Sequence, residues 1–401
     1  MKICLIIDDY MPDSTKAAAR MMHDLAIEFK EQGHSVSVVT PNPYISTKVD
    51  TLILDDIKIY RFKTGHIKNV GKVQRAINET LLSYKAWNSC KDLLLANKHD
   101  IIIYYSPTIF FGSFVKKLKK VWDAPSYLIL RDIFPRWAID SGLLREKSMI
   151  TKYFQYFESL NYQSADKIGL MSPKNLELFN KIYELNSKTE VLYNWASNDL
   201  IETKDKTYKK RYNLENKVVF FYGGNIGHAQ DMINIVRLAH SMKNDSRAHF
   251  MLVGQGDEFT IVEEGIKEYN LNNMTLLPAV SQEEFMMMLS EYDVGLFTLH
   301  KAHSTHNFPG KILAYMTQGI PILGSINVAN DVKEIIENAG AGLISSNGDD
   351  TIFLKNAQTL MNDDIRQLMG KKSKKLLTDI FSVQTASTQI LHTLGFMQNK
   401  N

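Results

Sequence analysis

Apolar positions along the chain fall into short continuous runs separated by longer amphipathic stretches. The run ICLIID near the amino terminus reads as a buried strand, residues 15–32 as a helix closed by Gly33, and SVSVVT as the next strand. Residues 72–97 read as one long helix. The runs DIIIYY (100–105), PSYLIL (125–130) and KIGLMS (167–172) follow, with helices between them. Near-continuous apolar strands alternating with helices predict a parallel sheet covered on both faces. The pattern breaks near VLYNWASNDL (191–200), and a polar, Lys-rich stretch follows. A second series starts at VVFFYGG and continues through AHFMLVG, MTLLP, DVGLFTL, PILG and AGLIS. Ser281 and Glu284 have the spacing of a capping box at one of the intervening helices.

This alternation predicts an α/β chain of two doubly wound domains facing each other across a cleft, with a linker near 194–200. The expected boundaries are 1–195 for the first domain and 196–375 for the second. Residues 376–401 are expected to form a carboxyl-terminal helix that packs back toward the first domain. A length of 401 residues suits two domains better than one.

Composition adds exclusions. The chain is 44% apolar and 23% charged, as ordinary globular proteins are, and its net charge of +3 is too small to argue for a nucleic-acid partner. The two cysteines, Cys4 and Cys90, suggest no disulfide framework and fit a reducing cytoplasm. The first apolar run stops at Asp8 and Asp9, too short for a signal peptide. No run approaches the roughly 18 apolar residues of a membrane span. The expectation is a cytoplasmic protein whose membrane contact, if it has one, is peripheral on the inner membrane.

Three loops of the second series lie between a strand and a helix. In YGGNIGHAQD (222–231), Gly223, Gly224 and Gly227 allow close approach of a ligand to the backbone, or simply make a tight turn. VGQGDEF (253–259), which contains Gly254, begins like a dinucleotide fingerprint but lacks its third glycine. In FPGKILAYMTQGIPILG (308–324), Phe308, Pro309, Gly310 and Lys311 fit the first turn of a helix. A lysine there opposes the helix dipole unless an anion binds beside it; the alternative is a lysine pointing to water. The acid pairs Asp8–Asp9 and Asp55–Asp56 read as strand-end and turn residues rather than metal ligands.

The order YGGNIG…AQ, VGQG, EYDVGLF and NFPGKILAYMTQGIPI resembles the carboxyl-terminal half of the retaining glycosyltransferases of family four. MPDSTKAAARMMHDLAIEFKEQGHSVSVVTP is similar to their first βαβ unit, and ILRDIFP to their RDLWP stretch. HNFPGKILAYM…GIPILGSIN is most similar to bacterial O-antigen L-fucosamine transferases. The resemblance implies the GT-B fold, with two Rossmann-like domains. It implies a UDP-sugar donor in the second domain and an undecaprenyl-diphosphate-linked acceptor on the first. It implies no cofactor and no metal. The transferred unit it suggests is an amino sugar, N-acetyl-L-fucosamine being the candidate.

The chain departs from the family pattern at several positions. His306 and Ala314 stand where a pair of glutamates is usual, and Asn225 and Gln230 where an arginine and a lysine are usual. Tyr104, Tyr105 and Ser106 occupy the place of a common histidine. Lys311 is then the replacement cation, with His306 beside it and His303 nearby, and Arg131 and Asp132 are the candidate polar pair of the first domain. Donor contacts fall to Gly223, Gly224, Asn225, Gly227, Gln230, Gly254, Phe308, Pro309, Gly310 and Lys311. The acceptor or membrane side falls to Ser14, Thr15, Lys16, Tyr105, Lys116 and Lys120. The segment IFFGSFVKKLKKVW (109–122) alternates aromatic residues with lysines, as a helix lying on an anionic membrane would. The favoured alternative is a sheet-covering helix with a lysine face. Two competing readings share the architecture: a UDP-N-acetylglucosamine 2-epimerase and a non-catalytic sugar-nucleotide scaffold. The missing fingerprint disfavours a nicotinamide dehydrogenase.

Overall fold

The computed structural model describes the chain except for Thr15, Asn69, residues 201–206, 302–309, Ala329 and 397–401, and the side chain of Lys72. The chain divides into two compact units, Met1–Asn194 with Val383–Asn401, and Trp195–Ser382. The return to the first unit comes at 383 rather than at 376. The helix Asp363–Leu376 continues into a wide turn, Leu377–Phe381, whose Leu377 and Phe381 are buried within the second unit.

The described residues of the first unit form eight strands: β1 (Lys2–Ile6), β2 (Ser35–Asn42), β3 (Val49–Leu54), β4 (Ile57–Lys63), β5 (Ile101–Ser106), β6 (Ser126–Leu130), β7 (Lys167–Leu170) and β8 (Thr189–Val191). Their order is β3-β4-β2-β1-β5-β6-β7-β8. Every residue of β5 and β6 is buried, because helices cover both faces of the sheet. The β3–β4 hairpin is not marked by a continuous apolar run. β3 is an antiparallel edge strand, half-buried at alternate positions, and its turn uses Asp55 and Asp56 at φ +50° and +60°. Aspartate tolerates that left-handed backbone better than most residues.

The segment 72–97 is two helices, Lys72–Thr80 and Leu82–Ala96, rather than one. The second buries Leu82, Ala86, Cys90 and Leu94 on the sheet, whereas Val73 and Ile77 of the first are exposed. The break falls where the buried stripe begins. The first long helix starts at Ala17 rather than at residue 15, and Gly33 follows it at φ +84°. The last helix, Val383–Thr393, belongs to the first unit. Gln389 Nε2 donates to the Val191 carbonyl at 2.7 Å, and Gln32 Nε2 donates to Ser387 Oγ at 2.7 Å.

The second unit is a six-stranded, wholly parallel sheet: β9 (Val218–Asn225), β10 (Ala248–Gln255), β11 (Met274–Leu277), β12 (Val294–Thr298), β13 (Ile322–Ile326) and β14 (Gly342–Ser346). Its order, β11-β10-β9-β12-β13-β14, reverses direction between β9 and β12. Parallel sheets open a crevice at the carboxyl ends of strands at such a point. Ser281 caps the helix Gln282–Glu291 by accepting the Glu284 N–H at 3.1 Å, one half of the expected capping box.

Candidate functional site

At the switch point, β9 ends in Gly223, Gly224 and Asn225, and the helix Gly310–Thr317 follows β12. Tyr222 is buried beneath the loop, and its hydroxyl donates to the Asn225 carbonyl at 2.5 Å. The Lys311 ammonium stands 3.5 Å from the centroid of the Tyr222 ring. It lies over the electron-rich face, a favourable place for a cation. Burial nonetheless lowers the Lys311 ammonium from its ordinary range to about 7. Four residues on, Tyr315 is buried against Gly295 and donates to the Leu296 carbonyl at 2.8 Å. That contact fixes the rotation of the helix that carries Lys311.

The glycines divide into two groups. A β-carbon at Gly254 would lie 1.8 Å from the Gly224 carbonyl oxygen, and one at Gly256 would lie 2.1 Å from the Ile226 carbonyl oxygen. The carboxyl ends of β9 and β10, and the residues that follow them, therefore touch backbone to backbone. Ile226 N–H donates to Gln255 O at 2.9 Å, and Glu258 N–H to Ile226 O at 3.0 Å. Gly223 makes room for the Phe285 ring, and Gly227 for the Asn225 and Asp257 side chains. Gly223, Gly227 and Gly254 thus make room for a neighbouring strand and for side chains packed against them. Gly224 differs: at φ +124° it is exposed, and the nearest atoms to a β-carbon there are Lys311 Cε and Nζ at 3.6 Å. Gly310 is exposed too, and no atom of the described residues lies within 4 Å of where a β-carbon would stand.

Asn225 and Gln230 are bound to each other, Nδ2 to Oε1 at 2.7 Å, so these substitutes for two cations hold the loop's shape. Glu258 does what no residue was expected to do. It accepts the Met232 N–H at the start of the helix Met232–Ser241 and lies 3.2 Å from His228 Nδ1. The His228 ring sits 5.0 Å from the His300 ring, whose residue donates its N–H to Ala229 O at 2.9 Å. A buried polar set also escaped sequence reasoning. Asn234 donates to Ser325 at 2.8 Å and to Thr298 at 3.2 Å, and Asn347 donates to Asp231 at 2.9 Å and to Leu299 O at 2.8 Å. These bonds tie the carboxyl ends of β12, β13 and β14 to the helix after β9. The only signal in the sequence was polar residues closing apolar runs, as in GSIN and ISSN.

His303, His306, Phe308 and Pro309 lie outside the described residues, as does Thr15. In the first unit Arg131 is buried. Its guanidinium donates to the carbonyls of Leu130 (3.3 Å), Gly169 (3.4 Å) and Tyr193 (3.3 Å), and burial lowers it to about 10. It ties strand ends together, while Asp132, the other member of the candidate polar pair, is exposed beside it. Ser14 is buried and accepts the Lys16 N–H at 3.3 Å, and Lys16 pairs with Asp9 at 3.6 Å. Tyr105 is buried, with its hydroxyl pushed up to about 12 by burial.

Asp8 and Asp9 pair with Lys68 at 3.3 and 2.7 Å, and Lys30 pairs with Asp56 at 2.8 Å. Among the described residues no group of three or more His, Cys, Asp or Glu is gathered as metal ligands would be. The helix Gly112–Trp122 buries Phe114, Val115, Leu118 and Trp122 in the core. Most of its apolar face is therefore unavailable to a membrane, contrary to one of the two readings, and its lysine face, with Lys116 and Lys120, is exposed together with Val121. Among the described residues no helix is long and apolar enough to cross a membrane.

Two wholly or largely parallel sheets, each with its strand order reversed at one point, describe a known architecture. The chain has the GT-B glycosyltransferase fold. Residues 204–376 of this GT-B chain match the family described as Glycosyl transferases group 1. The chain is 24% identical over 220 residues to the probable glycosyltransferase WbjE of Pseudomonas aeruginosa; the match spans 54% of each protein, about half of that relative's length. It is 23% identical over 346 residues to the putative colanic acid biosynthesis glycosyl transferase WcaI of Escherichia coli K12, spanning 80% of this chain and 82% of that one. Among solved structures, Anabaena HepE in complex with UDP superposes with a TM-score of 0.68 at 15% identity, over 99% of this chain and 100% of that one.

Proposed function

We propose that this GT-B chain is a retaining glycosyltransferase that moves an amino sugar from a UDP-sugar to a lipid-diphosphate-linked saccharide, in the assembly of a cell-surface polysaccharide. N-acetyl-L-fucosamine is the candidate sugar. The observation that carries the reading is Lys311, standing over Gly224 at the switch point, with the amino end of its own helix beside it. The bond that breaks runs from the anomeric carbon to the diphosphate, and negative charge grows on the departing phosphate oxygen. The Lys311 ammonium and the first N–H groups of the helix place positive potential there before reaction. The acceptor hydroxyl forms the new bond to the anomeric carbon on the face the phosphate leaves, and its proton passes to the phosphate. A protein cation takes the part a metal plays elsewhere, so the reaction is proposed to be metal-independent.

The same reading puts the acceptor on the first unit and the protein on the cytoplasmic face of an anionic membrane. In place of Gly112–Trp122, support comes from the start of the helix Met149–Ser164. Met149, Ile150 and Tyr156 are exposed there beside Arg145, Lys147 and Lys152. Apolar residues rimmed by cations suit an anionic lipid surface.

Thermal unfolding with UDP, GDP and NAD, each with and without EDTA, tests the donor site. A ligand at a hundred times its dissociation constant adds about 2.7 kcal/mol of stability. The expected result is a rise in Tm with UDP that survives EDTA. No rise with UDP or with a UDP-amino sugar overturns the reading.

A further inference from the structure

Beyond Gly227 the chain makes a tight turn, His228–Gln230, and then enters the helix Met232–Ser241. Segments from three other strand ends hold this turn. Glu258, after β10, donates its N–H to Ile226 O at 3.0 Å and accepts the Met232 N–H at 3.2 Å. His300, after β12, donates its N–H to Ala229 O at 2.9 Å. Asn347, after β14, donates to Asp231 Oδ2 at 2.9 Å. The turn is thus fixed to strand ends on both sides of the reversal between β9 and β12.

His228 projects from that turn. Its side chain is 76% exposed, yet its Nδ1 lies 3.2 Å from the carboxylate of Glu258, a side chain only 13% exposed. Both Glu258 oxygens are committed, one to the imidazole and the other to the Met232 N–H. A carboxylate only accepts, so Nδ1 carries the hydrogen. Nε2, on the far side of the ring, has no hydrogen-bond partner among the described residues. The His300 ring lies alongside, 5.0 Å away between centroids and tilted by 31°. An exposed side chain ordinarily samples several rotamers, whereas here a carboxylate and a second ring select one.

A sugar-linked diphosphate brings two negative charges to the switch point. Asn225 and Gln230 answer neither: they are neutral and bonded to each other at 2.7 Å. That bond also ties the end of the turn to the residue after Gly224, the glycine beside Lys311. Lys311, lowered to about 7 by burial, supplies less than a full charge at neutral pH.

We propose that His228 is a second cation of the donor site. As an imidazolium it donates Nδ1–H to Glu258 and Nε2–H to an oxygen of the donor diphosphate, and Glu258 is the positioning residue that aims it. Carboxylate, imidazolium and phosphate then form a chain of charge-assisted hydrogen bonds. The inference rests on the donor reading, to which it adds a named contact.

The test is titration calorimetry of the full chain with UDP. The variants are His228→Gln, His228→Arg, Glu258→Gln, the double variant His228→Gln/Glu258→Gln, and Lys311→Ala, with Tm values confirming that each is folded. Gln at 258 keeps an oxygen for the Met232 N–H. His228→Gln should lose about tenfold in affinity, as removal of a charged hydrogen bond does. His228→Arg should stay within about threefold of the parent, because a guanidinium donates to both sides. Glu258→Gln should lose several-fold, and the double variant no more than His228→Gln alone, because the carboxylate acts through the ring. Parent affinity in His228→Gln overturns the proposal. An equal loss in His228→Arg also overturns it and assigns the ring to loop shape rather than charge, and additive losses remove Glu258 from its positioning role. If Lys311→Ala weakens UDP binding and His228→Gln does not, this inference alone falls. If the parent binds no UDP, the donor reading falls and takes this one with it.

Discussion

The Lys311 ammonium rests 3.5 Å from the centre of the Tyr222 ring, with Gly224 next to it. The pair joins the end of β9 to the start of the helix after β12, the two elements that flank the reversal of strand order. Lys311→Ala should therefore weaken UDP binding by tenfold or more, since a hydrogen bond to a charged group contributes about 1.5–3 kcal/mol. Lys119→Ala is the control, because Lys119 is paired with Asp166 at 2.6 Å in the first unit. Similar UDP affinities for the two variants in titration calorimetry would remove Lys311 from the site.

The lowered ammonium gives a pH dependence of definite sign. Lys311 sits at about 7 in the folded chain, against an ordinary 10.5. Between these values the unfolded chain binds more protons, so this group makes stability rise with pH from about 7 to 10.5. Diphosphate binding has the opposite sense, because the anion favours the charged lysine. UDP affinity should fall as pH rises from about 7 to 9, with proton uptake on binding, and the dependence should flatten in Lys311→Ala. Calorimetry in buffers of different ionisation enthalpy measures the uptake; none at pH 8 counts against a neutral Lys311 in the free protein.

Gly254 and Gly310 should respond in opposite ways to alanine. At Gly254 the new carbon meets the Gly224 carbonyl oxygen at 1.8 Å, so one backbone must move. A loss of about 1–3 kcal/mol is expected, typical of overpacking, together with loss of the UDP response. At Gly310 no atom of the described residues lies within 4 Å of the new carbon, so the fold should be unaffected. Thermal unfolding of both variants decides the matter, and a Gly254→Ala protein as stable as the parent would show that the loops do not pack as described.

Glu158 is a second titrating group, in the core of the first unit. Burial pushes its carboxyl up to about 7, opposed by the hydroxyls of Tyr183 and Tyr162, which donate to it. The folded chain then binds more protons than the unfolded one between 4.5 and about 7, so stability falls as pH rises through that window. Glu158→Gln should flatten this fall and gain on the parent above pH 7 by on the order of 2–3 kcal/mol. Denaturant midpoints at pH 5 and pH 8 measure it. An unchanged difference between the two pH values would place the proton elsewhere.

Membrane attachment separates the two candidate surfaces. Tyr156→Glu places a charge on an exposed apolar site, whereas Lys120→Glu alters the exposed face of a helix whose apolar side is buried. Sedimentation with phosphatidylglycerol vesicles should fall more for Tyr156→Glu. A larger fall for Lys120→Glu would return the contact to the helix Gly112–Trp122.

The sequence by itself determined the large features. Continuous apolar runs of strand length alternating with amphipathic helices require a parallel sheet covered on both faces, and a break near residue 194 divides two such sheets. It also marked Lys311, because a cation at the start of a helix is locally unfavourable and calls for an anion. Features that depend on which surfaces meet were decided by tertiary structure alone. The β3–β4 hairpin is a half-buried edge with little apolar signal. The helix 109–122 carries the same pattern whether it covers a sheet or a membrane, and only the packing of Phe114 and Trp122 distinguishes them. Glycines that read as a ligand cradle also let two chain segments touch, since hydrogen bonds such as Ile226 to Gln255 join residues far apart along the chain. The same holds for Arg131: RDIFP shows a charged pair at a strand end, but only the folded chain shows the guanidinium bound to carbonyls from three separate segments. Local periodicity records what one segment needs to bury, and says nothing of which distant backbone will be there to meet it.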